Sequence, residues 1–297
     1  MRITGKIAIA AAASLFMATT VYAHSFWVSI FESFSHKPGH VLVGLGWGHT
    51  LPIDDILNSS YKVPVESFTV TDPGGKTIQL KIPSAETATA DKQTPNLDLF
   101  SADIGLQKIA LKKESIPGVY KIEARSKPAF YTRFIDKKDR MRLKMKSKDQ
   151  IKNIKKVLMS MRYQANAVSY VTLKKWETPE PTNQGLEIIP MTDLSQVKPG
   201  DLVKFKVLFM GKPLNSNYSP QSSEFITAST PAFDKGQHFK VYSKIWNGDA
   251  KLMVQCPGKW LVKCSHKGQV DKEGPLKDLY GKADLSSNEA TLTFNVN

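Results

Sequence analysis

The stretch FTVTDPGGKTIQLKI, residues 68–82, decides the fold class, because it contains two strands and the turn between them. Apolar residues recur at every second position before and after the turn, which is the spacing of β-strands with one buried face. The turn itself, residues 72–75, contains one proline and two adjacent glycines, a composition typical of a tight reversal. We therefore predict an antiparallel hairpin at this point.

Short alternating runs of the same kind recur through the rest of the chain. They lie at residues 120–124, 203–209, 252–256, 260–264 and 292–296. Several short strands separated by glycine and proline favour a β-sandwich over a βαβ sheet. The sequence therefore predicts an all-β chain with two β-sandwich domains of the immunoglobulin-like or prealbumin-like kind.

One segment, residues 148–171, has a different periodicity. Its apolar residues lie three or four positions apart, and basic residues fall between them, which is the spacing of an amphipathic helix. The apolar set is Ile151, Ile154, Leu158, Met161, Ala165 and Val168, and the basic set is Lys152, Lys155, Lys156 and Arg162. We therefore predict a helical insertion in the first domain near residues 148–171.

The first 23 residues have the organisation of a secretory signal peptide. Arg2 and Lys6 precede an apolar run over residues 7–17, and the small residue Ala23 ends the segment. Basic, apolar and small-residue regions in this order are typical of a signal that is removed on export. We therefore predict a signal peptide over residues 1–23 and a mature protein in the bacterial periplasm.

After the signal, a linker divides the alternating pattern into two parts. Residues 178–185 contain two prolines and a glycine with no periodicity. The prediction is an N-terminal domain over residues 24–177, a linker over 178–185 and a C-terminal domain over 186–297. No apolar run after residue 23 approaches the ~20 residues of a membrane helix, so we predict no transmembrane span.

The chain is strongly basic. Its 297 residues carry 41 Lys and Arg against 27 Asp and Glu, and removing Arg2 and Lys6 with the signal leaves 39 against 27, a net charge of +12. Residues 137–156 alone hold ten basic and two acidic residues. Because an exported protein rarely meets nucleic acid, we predict no nucleic-acid partner, and a solvated face is the first interpretation of the basic segment. An anionic membrane surface or an acidic partner is the alternative.

The two cysteines, Cys256 and Cys264, flank residues 257–259, whose composition is that of a hairpin turn. On the strands of such a hairpin, the two thiols would lie about 13 Å apart, beyond the reach of a disulfide. We therefore predict free thiols packed in the core. The chain has no C-x-x-C spacing, which argues against a cysteine metal site.

Cleavage after Ala23 would make His24 the first residue of the mature chain. An N-terminal histidine offers its α-amine and its imidazole together. The amine has a reference pKa of about 7.7–8.0, so a metal can displace its proton near neutral pH. The two nitrogens form a chelate suited to Ni, Co, Cu or Zn. A histidine at this position by chance is the alternative interpretation.

Four further residues are candidate partners of His24. His49 follows three closely spaced glycines, which would place it on a tight turn. Asp54 is a candidate oxygen ligand or an acceptor that orients an imidazole, although it could instead cap a short helix. His40 is a candidate ligand or a structural histidine, and His266 joins the site only if the two domains close on each other.

Residues 24–27, HSFW, and residues 46–52, GWGHTLP, together resemble the start of a bacterial periplasmic family. It is domain-of-unknown-function family 4198, which includes NikK-type accessory proteins of nickel and cobalt uptake. The stretches that resemble its second domain include residues 187–190, 198–201 and 207–213. The resemblance implies that the protein binds nickel or cobalt through the positions of His24 and His49 and serves an inner-membrane metal transporter.

Two other functions also fit parts of the sequence. A copper oxygenase uses an N-terminal histidine with one further histidine, and an adhesion or carbohydrate-binding β-sandwich would need no metal. The chain has neither a G-x-S-x-G nor an H-E-x-x-H motif. We therefore predict a binding protein rather than an enzyme.

Overall fold

The structure, a computed structural model, describes residues 24–57, 63–216, 218–219 and 222–297. The predicted signal peptide lies outside these residues. The fold is all-β, as predicted, with single 3-10 turns at Lys148–Gln150 and Lys277–Leu279. Its strands are β1 (Ser25–Ser33), β2 (His40–Gly48), β3 (Val65–Thr71), β4 (Thr77–Gln79), β5 (Lys92–Gln93), β6 (Asp98–Leu99), β7 (Gln107–Ala110), β8 (Gly118–Ser126), β9 (Ala129–Asp136), β10 (Met141–Lys144), β11 (Ile154–Leu173), β12 (Leu186–Pro190), β13 (Leu202–Phe209), β14 (Lys212–Pro213), β15 (Tyr218–Ser219), β16 (Ser222–Ser223), β17 (Phe225–Ser229), β18 (Val241–Lys244), β19 (Asp249–Met253), β20 (Gly258–Gln269) and β21 (Leu285–Val296).

The hairpin at residues 68–82 is confirmed. β3 and β4 pair antiparallel, with Val70 opposite Ile78. The carboxylate of Asp72 stabilises the turn, because its Oδ1 accepts hydrogen bonds of 2.9 Å from the backbone N–H groups of both Gly74 and Lys76. An aspartate that bonds the backbone two residues ahead is a common way to close such a turn.

One ten-stranded sheet contains strands from both halves of the chain. Its order is β18-β17-β20-β21-β11-β8-β3-β4, with β9 paired along β11 and β10 paired with β9. The two halves meet where β11 and β21 pair in parallel, from Met161 opposite Leu285 to Ser169 opposite Thr293. The predicted linker, residues 178–185, has no regular secondary structure. The division into two domains stays a prediction.

Two small sheets accompany the large one. The sheet β1-β2-β7 shares a hydrophobic core with residues of β3, β8 and β11, and the sheet β12-β13-β14 with β19 shares a second core with β17, β20 and β21. Successive side chains of β11 point to opposite faces of the sheet, so β11 contributes to both cores. Ala165 and Ala167 face the first core, whereas Val168 and Tyr170 face the second. The protein is therefore layered like two sandwiches that share a sheet.

The predicted helix near residues 148–171 is wrong. The structure places only the 3-10 turn Lys148–Gln150 there, followed by the twenty-residue strand β11. Two irregularities in the pairing with β9 interrupt the alternation in the first half of β11, and the second half is buried on both faces. Interrupted alternation followed by an unbroken apolar run produces spacings of three and four without a helix.

The two cysteines are free, as predicted, with Cys264 buried and Cys256 partly buried. Burial raises the pKa of the Cys264 thiol to about 12. The expected hairpin between them does not form, because β19 pairs with β13 while β20 pairs with β17 and β21. The chain thus crosses between sheets at residues 254–257. Within the described ranges, no helix has the length and hydropathy to span a membrane.

Candidate metal centre

The pairing of β1 with β2 brings His24 and His49 together. Ser25 lies opposite Gly48, so the residue before β1 and the residue after β2 meet across the end of the ladder. Their imidazole ring centroids are 4.3 Å apart, with the ring planes tilted by 43°. Two histidines that are 25 positions apart in sequence are therefore direct neighbours at one end of the small sheet.

Trp47 orients the His24 ring. The two rings are stacked, with centroids 5.2 Å apart and planes 13° from parallel. Trp47 is itself buried, and its backbone carbonyl accepts a 3.0 Å hydrogen bond from the Asp55 N–H. The imidazole of His24 thus has a rigid aromatic neighbour that limits its rotation.

Asp54 orients the second imidazole. Its Oδ2 lies 3.2 Å from His49 Nδ1 and accepts a 2.7 Å hydrogen bond from the His49 backbone N–H. A carboxylate on Nδ1 favours the tautomer that carries its proton there and presents Nε2 as the electron-pair donor. Asp54 therefore has the geometry of an acceptor that orients an imidazole, one of the roles expected for it.

Gly48 makes the contact between Asp54 and His49 geometrically feasible. Its φ is +131°, and a Cβ at this position would lie 2.5 Å from both Cβ and Oδ2 of Asp54. Only glycine has neither the strain of this backbone conformation nor the clash. Of the three glycines expected to form a tight turn, only Gly48 has this role, because Gly44 and Gly46 lie inside β2.

Three side chains hold the loop that carries Asp54. Trp27 Nε1 and Ser29 Oγ each donate a 3.1 Å hydrogen bond to the Pro52 carbonyl, and Gln237 Nε2 donates one of 3.2 Å to the Leu51 carbonyl. Trp27 belongs to the motif at residues 24–27, but the sequence indicated no structural role for it. The contact of Gln237 with this loop could not be predicted from the sequence, because Gln237 lies in a distant part of the chain.

The structure does not bring His40 or His266 to this site. His40 starts β2 opposite Ala110, about 30 Å along the strand from His49. On β20, Lys263 faces β1 and donates a 2.7 Å hydrogen bond to Ser25 Oγ. His266, three positions further, lies on the other face, where its Nδ1 is 2.6 Å from Glu224 Oε1.

His266 packs there against Phe209, with ring centroids 4.3 Å apart.

Across the described ranges, no three side chains of His, Cys, Asp or Glu converge in a way that could hold a metal ion. The pair His24 and His49 supplies two imidazoles, and the main chain could supply a third nitrogen. The α-amine of His24, present once residue 23 has been removed, is such a nitrogen.

His266→Ala should leave the affinity for Ni or Co unchanged within about twofold, because the residue faces away from His24. It should lower the free energy of unfolding by roughly 1–3 kcal/mol, since the buried Glu224 loses its partner. Metal titration and thermal unfolding of the same preparation measure both effects, with the exposed His238→Ala as the control. A tenfold loss of metal affinity in His266→Ala alone would show that His266 is a ligand.

The comparison with known families gives a match that covers most of the chain. The model of the family described as a domain of unknown function, DUF4198, matches residues 21–268, which include both imidazoles of the candidate site, Asp54 and His266. No curated protein matches the chain.

Proposed function

The chain belongs to the DUF4198 family, and on that premise we propose that it binds a divalent transition metal in the periplasm as an accessory to metal uptake. The observation that carries the proposal is the contact of the His24 and His49 rings at 4.3 Å, at the point where the predicted signal peptide ends. The metal is the cargo of the protein. Its receiver would be an inner-membrane metal transporter.

Three nitrogens would hold the metal. The α-amine and the imidazole of His24 form one chelate, and Nε2 of His49 supplies the third nitrogen, because Nδ1 already faces Asp54. The amine must lose a proton to bind, which a metal achieves near neutral pH. His49 is about one third exposed, so the metal would remain accessible to a receiving protein.

Nitrogen ligands favour nickel, cobalt, copper and zinc over magnesium and calcium. Neither cysteine lies at the site, which removes the soft ligand that would favour a zinc–thiolate or copper(I) centre. The sequence resemblance to NikK-type accessory proteins supports nickel or cobalt within the remaining group.

His49→Ala should lower the affinity for Ni or Co at least about tenfold, or roughly 1.4 kcal/mol, because it removes one of three ligands. His36→Ala is the matched control, since His36 lies in an exposed loop after β1, at the opposite end of the small sheet. Both variants are produced by export, so that His24 is terminal, and titrated with metal by calorimetry. Equal affinities for the two variants would contradict the proposal.

A copper-dependent oxygenase is the second candidate, because the same amine and two imidazoles would also hold copper. The titration distinguishes the two candidates. Tight 1:1 copper binding with peroxide-dependent turnover would favour the oxygenase. Retention of no metal after export would favour an adhesion or carbohydrate-binding protein.

A further inference from the structure

β9, β10 and residues 154–163 of β11 form a three-stranded extension of the large sheet, which we call the arm. β21 pairs with β11 only from Met161 onward, whereas β9 pairs with the earlier part of β11. In the described part of the chain, β10 pairs with β9 alone. The arm therefore extends the sheet past the start of β21.

The register of the arm assigns its side chains to two faces. Leu143 pairs with Arg133, which pairs with Met159, and Met141 pairs with Ile135 on the same face. Arg133 Nε lies 3.2 Å from Met141 Sδ, which confirms the shared face. On this face Met141 is 61% exposed, Leu143 63% and Met159 37%. It is an apolar surface in contact with solvent.

The opposite face of the arm is buried along β9 and β11, whereas β10 exposes the basic side chains of Arg142 and Lys144 there. Phe134, Thr132 and Ser160 are buried there, and Thr132 Oγ1 donates a 2.8 Å hydrogen bond to the Lys146 carbonyl. The exposed side chains of Met141, Leu143 and Met159 therefore lie together on the first face. Monomeric proteins seldom expose a group of large apolar side chains without a binding role.

The arm and the segments that connect its strands form a strongly basic part of the chain. Residues 133–156 contain eleven Lys and Arg and three Asp, a net charge of +8. Two of the three carboxylates are paired within the arm, since Asp136 contacts Arg140 and Asp139 contacts Lys155. The arm therefore presents an apolar face surrounded by positive charge.

We propose that this face docks on an anionic phospholipid surface. A second copy of the chain docked through the same face would place two segments of net charge +8 next to each other. Repulsion between these like charges opposes self-association through the arm. Anionic headgroups are complementary to the lysines and arginines, and Met141, Leu143 and Met159 can enter the boundary between headgroups and acyl chains.

Docking would place the candidate metal centre near the membrane. Phe26 and Val28 accept hydrogen bonds from Thr291 and Thr293, so β1 runs in the same direction as β21. His24 therefore lies toward the start of β21, the end of the large sheet from which the arm extends. The lipid contact itself does not depend on metal binding.

The test is co-sedimentation of the exported full-length protein with vesicles of phosphatidylglycerol and phosphatidylcholine, against vesicles of phosphatidylcholine alone. We expect binding to the anionic vesicles only, and weaker binding as salt increases. Arg133 and Lys156 are the cations that the register places on the apolar face. Arg133→Gln and Lys156→Gln together should lower partitioning about twenty-five-fold, because each cation near an anionic surface contributes roughly fivefold. The matched control neutralises two exposed lysines elsewhere, Lys112 and Lys113.

Leu143→Ser tests the apolar part of the surface and should lower partitioning several-fold, whereas Leu106→Ser, at a similarly exposed leucine outside the arm, should not. The circular dichroism spectrum of each variant checks its fold. The proposal is overturned by equal binding to neutral vesicles, by equal losses in the arm double variant and the control double variant, or by no vesicle binding at all. It is equally overturned if the arm binds an acidic polypeptide but not anionic vesicles.

Discussion

Adding one residue ahead of His24 is expected to lower the affinity for Ni or Co at least about tenfold, equivalent to roughly 1.4 kcal/mol, and to leave the fold intact. The addition changes no side chain. It converts the α-amine of His24 into an amide, which is a poor ligand until it loses its proton, and so removes the chelate with the imidazole. The contacts of the His24 ring with the rings of His49 and Trp47 should survive. The pairing of β1 with β2 keeps the three residues at the same end of the small sheet.

The measurement compares metal titrations of the processed protein, the extended protein and a protein extended after Asn297 instead. The last variant is the control for adding a residue as such, since chain ends tolerate extension. Combined with His49→Ala, the N-terminal extension should cost less than the sum of the two single effects, because both break one shared site. If the N-terminally extended protein binds metal as tightly as the processed one, the amine is not a ligand.

What the sequence could predict depended on how local the determining interactions are. The hairpin at residues 72–75 is specified by its own proline, glycines and Asp72, and these suffice without the rest of the fold. The strand β11 is the opposite case. Its alternation is hidden because one half has pairing irregularities and the other half is buried between two cores, and both depend on strands far away in sequence.

The candidate site shows the same division. His24 could be named from the sequence because it follows the predicted cleavage site. His49 and Asp54 could be named because they come directly after a glycine-rich segment. Their proximity depends on the register of β1 with β2, in which a shift of one residue would move His49 away from His24. His40 and His266 were candidates because histidine is a common metal ligand. His40 is separated from the site by the length of β2, and His266 faces the other side of its strand.

Gly46→Ala is expected to destabilise the protein by about 3 kcal/mol or more, the upper range for overpacking a core. Gly46 lies opposite Trp27 in the ladder, and a Cβ there would lie 2.0 Å from Trp27 Nε1 and 2.2 Å from Cε2. Trp27 is fully buried against Leu51 and Leu261, so a shift of the indole would displace packed side chains. Its hydrogen bond to the Pro52 carbonyl would also be lost.

Gly44→Ala is the matched control, since it adds the same methyl group to the same strand. Its Cβ would meet Leu106 at 3.4 Å, an ordinary van der Waals contact, so its melting temperature should stay close to that of the unaltered protein. Gly46→Ala should melt roughly 6–12 °C lower. It should also bind metal more weakly, because the displaced Trp27 no longer holds the loop from His49 to Asp54. Equal melting temperatures for the two variants would show that Trp27 can move without cost, and an unchanged metal affinity in Gly46→Ala would show that the loop keeps its position without the indole.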